Sequence, residues 1–370
     1  MNLAESKSSR LLWGGVFSYC FFVHLLAFGP SITPDKLMWS RQIEYFLYQD
    51  PLLFDFYKAY GHPGGPLIVL GCFFRLLFDV DFVMALNLAM SMIIAGATAG
   101  TAFFCSRLFP ESLWWLAAAL TLSLNRLYLW STPPTATVLP LSVFIVISVW
   151  WIWVNSRHDA RPKGLVALGV LAGVAAATRL DATLMIAGPL LLLLLYRYRS
   201  LALQRLLLGG TLGFLAGDPF MWYMPVRHVW DLVRKFTMHY SEFAVPHSIQ
   251  WYEWIHAVLF AMIFVVWAGL TLMRKTRTEL VPKQILIILL ATWGAAVCLL
   301  LTSSFQAVRY LYPIVVIAEV LLPLYILESQ NGNVIQRVCS AVEARPKADT
   351  WSCLVVLMVT IAQLSSFLLP

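Results

Sequence analysis

Apolar runs of about 20 residues, broken by short polar clusters, recur along nearly the whole chain. Each run is long enough to carry an α-helix across a hydrocarbon layer of about 30 Å. The chain therefore reads as an all-α polytopic membrane protein with about eleven spans. Of its 370 residues, 60% are hydrophobic and 12% charged, against about 25% charged in an ordinary soluble domain. No soluble core hides that much apolar surface. The formal net charge is +7, but the basic residues sit in the breaks between apolar runs, as determinants of membrane topology do. That placement argues against nucleic acid as a partner. Six cysteines (Cys20, Cys72, Cys105, Cys298, Cys339 and Cys353) are scattered without metal-ligand spacing and read as small core residues, not as a disulfide framework or a zinc site.

Lys7 and Arg10 precede the apolar run Leu11 to Phe28. No small-x-small cleavage site follows it, so the run is expected to stay as an anchor, with the N-terminus in the cytoplasm. Residues 66–78 are apolar but only 13 long, contain Arg75 and lead into Asp79 and Asp81. That is too short and too charged for a span. A re-entrant or interfacial helix over 64–79 is expected instead. Spans are then expected at 11–29, 82–104, 113–130, 135–155, 164–178, 182–196, 206–220, 254–273, 284–302, 307–327 and 351–369. In that order the basic clusters at 157–163, 197–205 and 274–283 all face the cytoplasm, as the positive-inside bias requires. Counting 64–79 as a span would put them outside.

Two outer loops stand out, at 30–80 and 221–252. In the second, Val226, Val229, Val233, Phe236 and Tyr240 recur at helical spacing with Arg227, Arg234, Lys235 and Ser241 between them. The pattern predicts an amphipathic helix on the membrane surface, its basic charge answering either an anionic ligand or lipid headgroups.

The same topology gathers Asp35, Lys36, Arg41, Glu44, His62, Arg179, Asp181, Asp218, Arg227, His228, His239 and Arg309 at the outer face. Charge at the ends of membrane helices is costly to place and marks function more often than loop charge does. Structural roles are available to some of these residues: Arg179 can pair with Asp181, Arg75 and Arg126 can snorkel, and Glu319, near mid-membrane, can be protonated or paired. Thr33 and Pro34 suit the start of a helix, which puts Asp35 in its first turn, where the dipole favours the ionised form. Such a carboxylate suits a general base taking a proton from a hydroxyl; the alternative is an acid that only stabilises its own helix. Gly61, His62, Pro63, Gly64, Gly65 and Pro66 turn the chain back toward the membrane. Arg309, with Tyr310 and Tyr312 beside it, is placed either to clamp a phosphate or to anchor a helix at the interface.

The order of TPDKLMWSRQIEYFL, FYKAYGHPGGPLIVLGCFFRLLF, GVLAGVAAATRLDATL, FLAGDPF and SSFQAVRYLYPIVV resembles the GT-C glycosyltransferases, in particular their protein O-mannosyltransferase and aminoarabinose transferase branch. The resemblance covers most of the chain. It implies one GT-C-like transmembrane domain over 1–370, a polyprenyl-phosphate-sugar donor and inverting transfer at the non-cytoplasmic face of a membrane such as the bacterial inner membrane. It further implies Asp35 as catalytic base, Arg179 and Arg309 as phosphate contacts and His62 lining the site, with Lys36, Arg41, Asp181, Asp218, Arg227 and Tyr310 grouped with the substrate-binding residues. Where the family commonly has Asp-Glu, this chain has Asp35 and Lys36. It also stops after the last expected span, where many relatives carry a soluble domain, so the acceptor is expected to meet the loops or a partner subunit. No metal is assigned from Asp35, Asp218 and Glu44. Two other readings stand beside the transferase: a transporter or flippase of a lipid-linked or anionic solute, and a non-catalytic assembly subunit that keeps a transferase-like fold.

Overall fold

The computed structural model describes residues 7–29, 34–48, 64–108, 114–124, 133–155, 164–230 and 315–321, with scattered positions between 262 and 294. Every regular element among the described residues is a helix. In chain order these are α1 (Lys7–Phe28), α2 (Pro34–Tyr48), α3 (Gly65–Phe78), α4 (Phe82–Leu108), α5 (Trp114–Leu124), α6 (Pro133–Asn155), α7 (Leu165–Thr178), α8 (Leu180–Gly217) and α9 (Pro219–Tyr223), followed by a helical turn over 225–230. Among the described residues, four stretches are long and apolar enough to cross a membrane: Leu11–Phe28, Phe82–Leu108, Thr137–Asn155 and Leu190–Gly217, the last of them folded back on itself at Arg199. Leu11, Phe22 and Leu26 on α1, and Leu192, Leu207 and Leu208 on α8, are exposed. Large apolar side chains on the outside of a helical bundle are what a surrounding bilayer accommodates.

Side-chain registers fix how the helices run. α1 and α4 are antiparallel, since Asn87 Nδ2 donates to Gly29 O at 3.0 Å while Trp13 meets Phe103 edge to face at 5.6 Å. α4 and α6 are parallel, since Gly100 lies against Phe144 and Phe104 against Trp151, with ring centroids 5.3 Å apart. Trp114 meets Trp150 at 5.4 Å, and its Nε1 donates to Val320 O at 2.9 Å. That bond ties the buried segment 315–321 to the start of α5.

These pairings sort the helix ends into two groups. One end of the bundle holds Gly29, the start of α4 and the last residues of α7 and α8. The other holds Trp13, Arg107, Trp114, Asn155, Gly164 and Arg197.

α8 is two helices joined at Arg199, whose φ of 54° and ψ of −142° reverse the chain. Two helices are expected here from sequence, at 182–196 and 206–220 with a break over 197–205, and two are found; only the inner bounds differ, since helix continues on both sides of Arg199, Arg205 lies within the second helix and the reversal occupies a single residue. The second half of α8 runs parallel to α7 along a glycine seam. A Cβ on Gly209 would stand 2.2 Å from Val166 O, one on Gly213 2.1 Å from Val170 O, and one on Gly173 2.2 Å from Gly210 O. Without side chains at these points, the two backbones pack directly against each other, the arrangement small residues provide between membrane helices.

α3 does not cross the bundle. It starts against α7 and α8 and ends beside the start of α4, and Gly71 packs on Ile43 of α2. Arg75 pairs with Asp79 and lies 5.4 Å from the Phe82 ring, while Phe73, Leu76, Leu77 and Phe78 are exposed. The expected helices at 254–273, 284–302 and 351–369, residues 231–252 of the second loop, and Arg126 lie wholly or largely outside the described residues.

Candidate functional site

The site is a junction of chain breaks. α7 stops at Thr178 because Arg179 is extended (φ −157°, ψ 111°). α8 stops at Asp218, also extended, and Pro219 opens α9. Proline in the first turn of a helix lacks only an N–H that would have no partner there. The third break is Gly64, in the left-handed region at φ 61°. A Cβ there would fall 1.5 Å from the Trp39 ring, and one on Gly65 would fall 1.8 Å from Gly217 O. Gly64 N donates to Thr178 O at 3.3 Å. Glycine at 64 and 65 is what lets α3 enter against the ends of α7 and α8 under the cover of α2.

Three charged residues are buried in this region. Asp218 is fully buried, and Lys36 and Arg179 are each 5% exposed. Asp218 Oδ1 accepts from Phe220 N at 3.1 Å, capping α9. Its Oδ2 lies 2.7 Å from His228 Nε2. Two aromatic contacts build a wall around this pair: Phe220 stacks on Tyr45 of α2 at 6.2 Å and lies 5.4 Å from the His228 ring. Lys36 turns the other way. Its Nζ donates to Phe28 O at the C-terminal end of α1 and lies 5.8 Å from the Phe28 ring. Burial pushes its ammonium below the ordinary value of 10.5.

Beside the junction an apolar groove of about 540 Å³ lies between α7 and the two halves of α8. Ala172, Gly173, Leu191, Leu195, Leu207 and Phe214 are among its walls, and Thr183 and Met221 are at the junction end. Both end residues join it to the breaks: Thr183 Oγ1 donates to Arg179 O at 2.8 Å, and Met221 N donates to Asp218 O at 3.1 Å.

Of the residues singled out from sequence, Arg179 and Asp218 stand at this junction. Arg227, one residue before His228, is exposed, as is Arg41 on α2, and Glu44 is partly buried. Asp35 and Asp181 lie in the first turns of α2 and α8, with side chains outside the description. His62, His239, Arg309 and Tyr310 lie outside the described residues. The expected surface helix over 221–252 is described only to residue 230, where α9 and the turn at 225–230 are broken at Met224.

Sequence reasoning placed His228 and Asp218 on one face but did not pair them. It gave Trp39 and Tyr45 no part in the site and used Thr178 only as a helix end. The available signal was Asp218-Pro219 starting a new helix with a histidine ten residues on. Trp39 Nε1 and Gln42 Oε1, both buried on α2, have no hydrogen-bond partner among the described residues. No group of three or more His, Cys, Asp or Glu residues that could hold a metal ion occurs among the described residues, and Cys20, Cys72 and Cys105 are singly buried. No protein-family model matches the chain, and no curated protein matches it.

Proposed function

We propose that this chain is a GT-C-type membrane glycosyltransferase with about eleven spans. In this reading it transfers a sugar, with inversion, from a polyprenyl-phosphate donor to an acceptor hydroxyl at the non-cytoplasmic face. The reading is carried by one observation: an apolar groove between α7 and the two halves of α8 ends at Thr183 and Met221, whose hydrogen bonds to Arg179 O and Asp218 O place these two buried residues next to it. Such a groove suits an isoprenoid tail, and an arginine at its mouth suits a phosphate, which guanidinium binds in bidentate fashion. A lipid-phosphate leaving group needs cationic stabilisation more than it needs a protonating acid. The acceptor hydroxyl still needs a base, which the sequence resemblance assigns to Asp35. Arg107, Arg197 and Arg199 collect at the opposite end of the bundle, which the charge bias makes cytoplasmic.

The direct test supplies the full chain in lipid nanodiscs with a panel of labelled polyprenyl-phosphate sugars and follows release of the lipid phosphate together with movement of label into an acceptor extract. Gly188 lines the groove, and nothing lies within 4 Å of where its Cβ would be. Gly188→Trp should therefore fill the groove while the bundle still folds. Donor-dependent transfer that Gly188→Trp abolishes is the expected result. Transfer unaffected by Gly188→Trp, or no transfer from any donor, would overturn the reading.

The transporter reading draws on Glu319, 1% exposed within the 315–321 segment, because buried acids within spans often mark transport paths. Movement of intact donor across the bilayer without cleavage would favour it.

A further inference from the structure

Away from the groove and the junction, the contact of α1, α4 and α5 carries polar groups that neither of them uses. His24 on α1, Asn87, Ser91 and Thr98 on α4 and Thr121 on α5 are all buried. Both imidazole nitrogens of His24, Asn87 Oδ1 and the hydroxyls of Ser91, Thr98 and Thr121 make no hydrogen bond among the described residues. At about 100° of turn per residue, Asn87, Ser91 and Thr98 fall within roughly 40° of one another on α4. Contacts place the three helices against this face. Asn87 Nδ2 donates to Gly29 O at 3.0 Å, the His24 ring lies beside the Leu122 carbonyl of α5, and Cys20, one turn earlier on α1, lies beside Ser123. None of these residues lines the groove between α7 and α8.

A hydroxyl inside a membrane helix can satisfy itself on its own backbone one turn back. Some here do: Thr101 Oγ1 donates to Ala97 O at 2.8 Å and Ser123 Oγ to Leu120 O at 3.2 Å. Ser91, Thr98 and Thr121, of the same types on the same two helices, do not. A buried polar group left unpaired costs stability, and the hydrocarbon around a bundle supplies no partner. A neutral imidazole offers one donor and one acceptor, a hydroxyl offers both, and an amide oxygen accepts. That mixed, uncharged set suits water, which makes about three hydrogen bonds where it is buried in protein.

The polar run begins at one end of the bundle and stops inside it. From Asn87, beside Gly29, it extends about 16 Å along α4 to Thr98, roughly half of a hydrocarbon layer of about 30 Å. Further along, the same three helices meet through rings, with Trp13 edge to face on Phe103 and on Trp115, each at 5.6 Å.

We propose that α1, α4 and α5 enclose a binding site for a chain of water molecules. The site is an inlet that leads from the Gly29 end of the bundle past Asn87, Ser91 and His24 to Thr98 and Thr121, and stops at Trp13, Phe103 and Trp115. It brings water to mid-span on a path separate from the lipid groove, and it does not depend on the transfer reaction.

The test uses the full chain in lipid nanodiscs. Hydroxyl radicals made from water by an X-ray pulse mark the side chains that touch bound water, including those out of reach of bulk solvent. His24 should be oxidised in the folded parent chain, and oxidised less in the double variant Ser91→Ala, Thr98→Val, which lacks two of the groups that hold the water. Thermal melts give a check of opposite sign. Replacing an unpaired buried group by an apolar one relieves its cost, whereas replacing a group bonded to water forfeits that bond. Ser91→Ala, Thr98→Val and Thr121→Val should therefore each lower the Tm. If the three substitutions raise the Tm or leave it unchanged, or if His24 in the parent escapes oxidation until the chain melts, the site is dry and the proposal fails. Neither readout uses a sugar donor, so a chain that transfers nothing leaves the inlet standing, and a dry site leaves the transferase reading untouched.

Discussion

The two ends of the bundle carry charge in opposite ways. At one end Lys36, Arg179 and Asp218 are withdrawn from solvent, and the contacts that hold Asp218 come from separate helices. At the other end Arg107 is exposed, 5.2 Å from the Phe103 ring, and partly buried Arg197 lies 4.4 Å from the Trp153 ring. Those cations keep access to water while their stems cover aromatic surface, as long basic side chains do at a membrane boundary. Burying a charge costs several kcal/mol unless partners compensate, so the first end is built around its charges and the second only carries them. The difference separates residues that set orientation from residues that form a site. Composition alone does not make that distinction, because arginine is common to both ends.

Substitutions can break or sharpen this contrast. The largest effect is expected at the seam that carries Arg179 and Asp218 into one junction. Gly213→Leu places a side chain where even a Cβ would be 2.1 Å from Val170 O. It should cost more than the roughly 1–3 kcal/mol of ordinary overpacking, read as lost folded yield and a lower Tm in detergent. Gly188→Ala, facing open space, should stay within about 0.5 kcal/mol.

Asp218→Ala comes next. It removes a helix cap worth roughly 0.5–2 kcal/mol and a charge-assisted hydrogen bond worth about 1.5–3 kcal/mol, and should lower the Tm clearly. Asp218→Asn, which can still cap α9, should lower it less.

Lys36 gives a smaller, pH-dependent signature. Burial holds its ammonium below 10.5, so in the alkaline range beneath that value the unfolded chain binds more protons than the folded one. Stability should then rise with pH across that interval, and Lys36→Met should flatten the slope in pH-scanned thermal melts. A slope unchanged in Lys36→Met would show that Lys36 is not its source. The smallest effect belongs to the opposite end: Arg107→Ala should cost no more than about 0.5–1 kcal/mol, the worth of an exposed cation–π contact. A larger loss there than at Asp218 would erase the distinction between the two ends.

Much of the fold was legible because membrane helices announce themselves by length. The apolar runs at 11–29, 82–104 and 135–155 match helices α1, α4 and α6, and the shorter run at 64–79 forms the separate helix α3. The reversal at Arg199 falls within the 197–205 break expected from its basic cluster, but its confinement to one residue was not legible. A left-handed backbone usually falls on glycine, and here the nearest glycines, 188 and 209, lie well away in sequence.

For the site, charge counting brought Arg179 and Asp218 to one face, yet it could not show which charges are held and by what. Lys36 and Asp35 are neighbours in sequence, but the Lys36 ammonium is engaged at the end of α1. His228 and Arg227 are also neighbours, but the histidine lies against buried Asp218 while Arg227 is exposed, on a turn set apart from α9 by the break at Met224. Side-chain direction after a helix break depends on backbone angles that no spacing rule records.

The most direct measurement of the central claim is an electron-microscopy structure of the full chain in nanodiscs with a polyprenyl phosphate bound. The account predicts an isoprenoid tail between α7 and the two halves of α8, with the phosphate against Arg179 at the Gly64–Asp218 junction. Lipid phosphate seated instead at the Arg107–Arg197 end, with the groove empty, would contradict it.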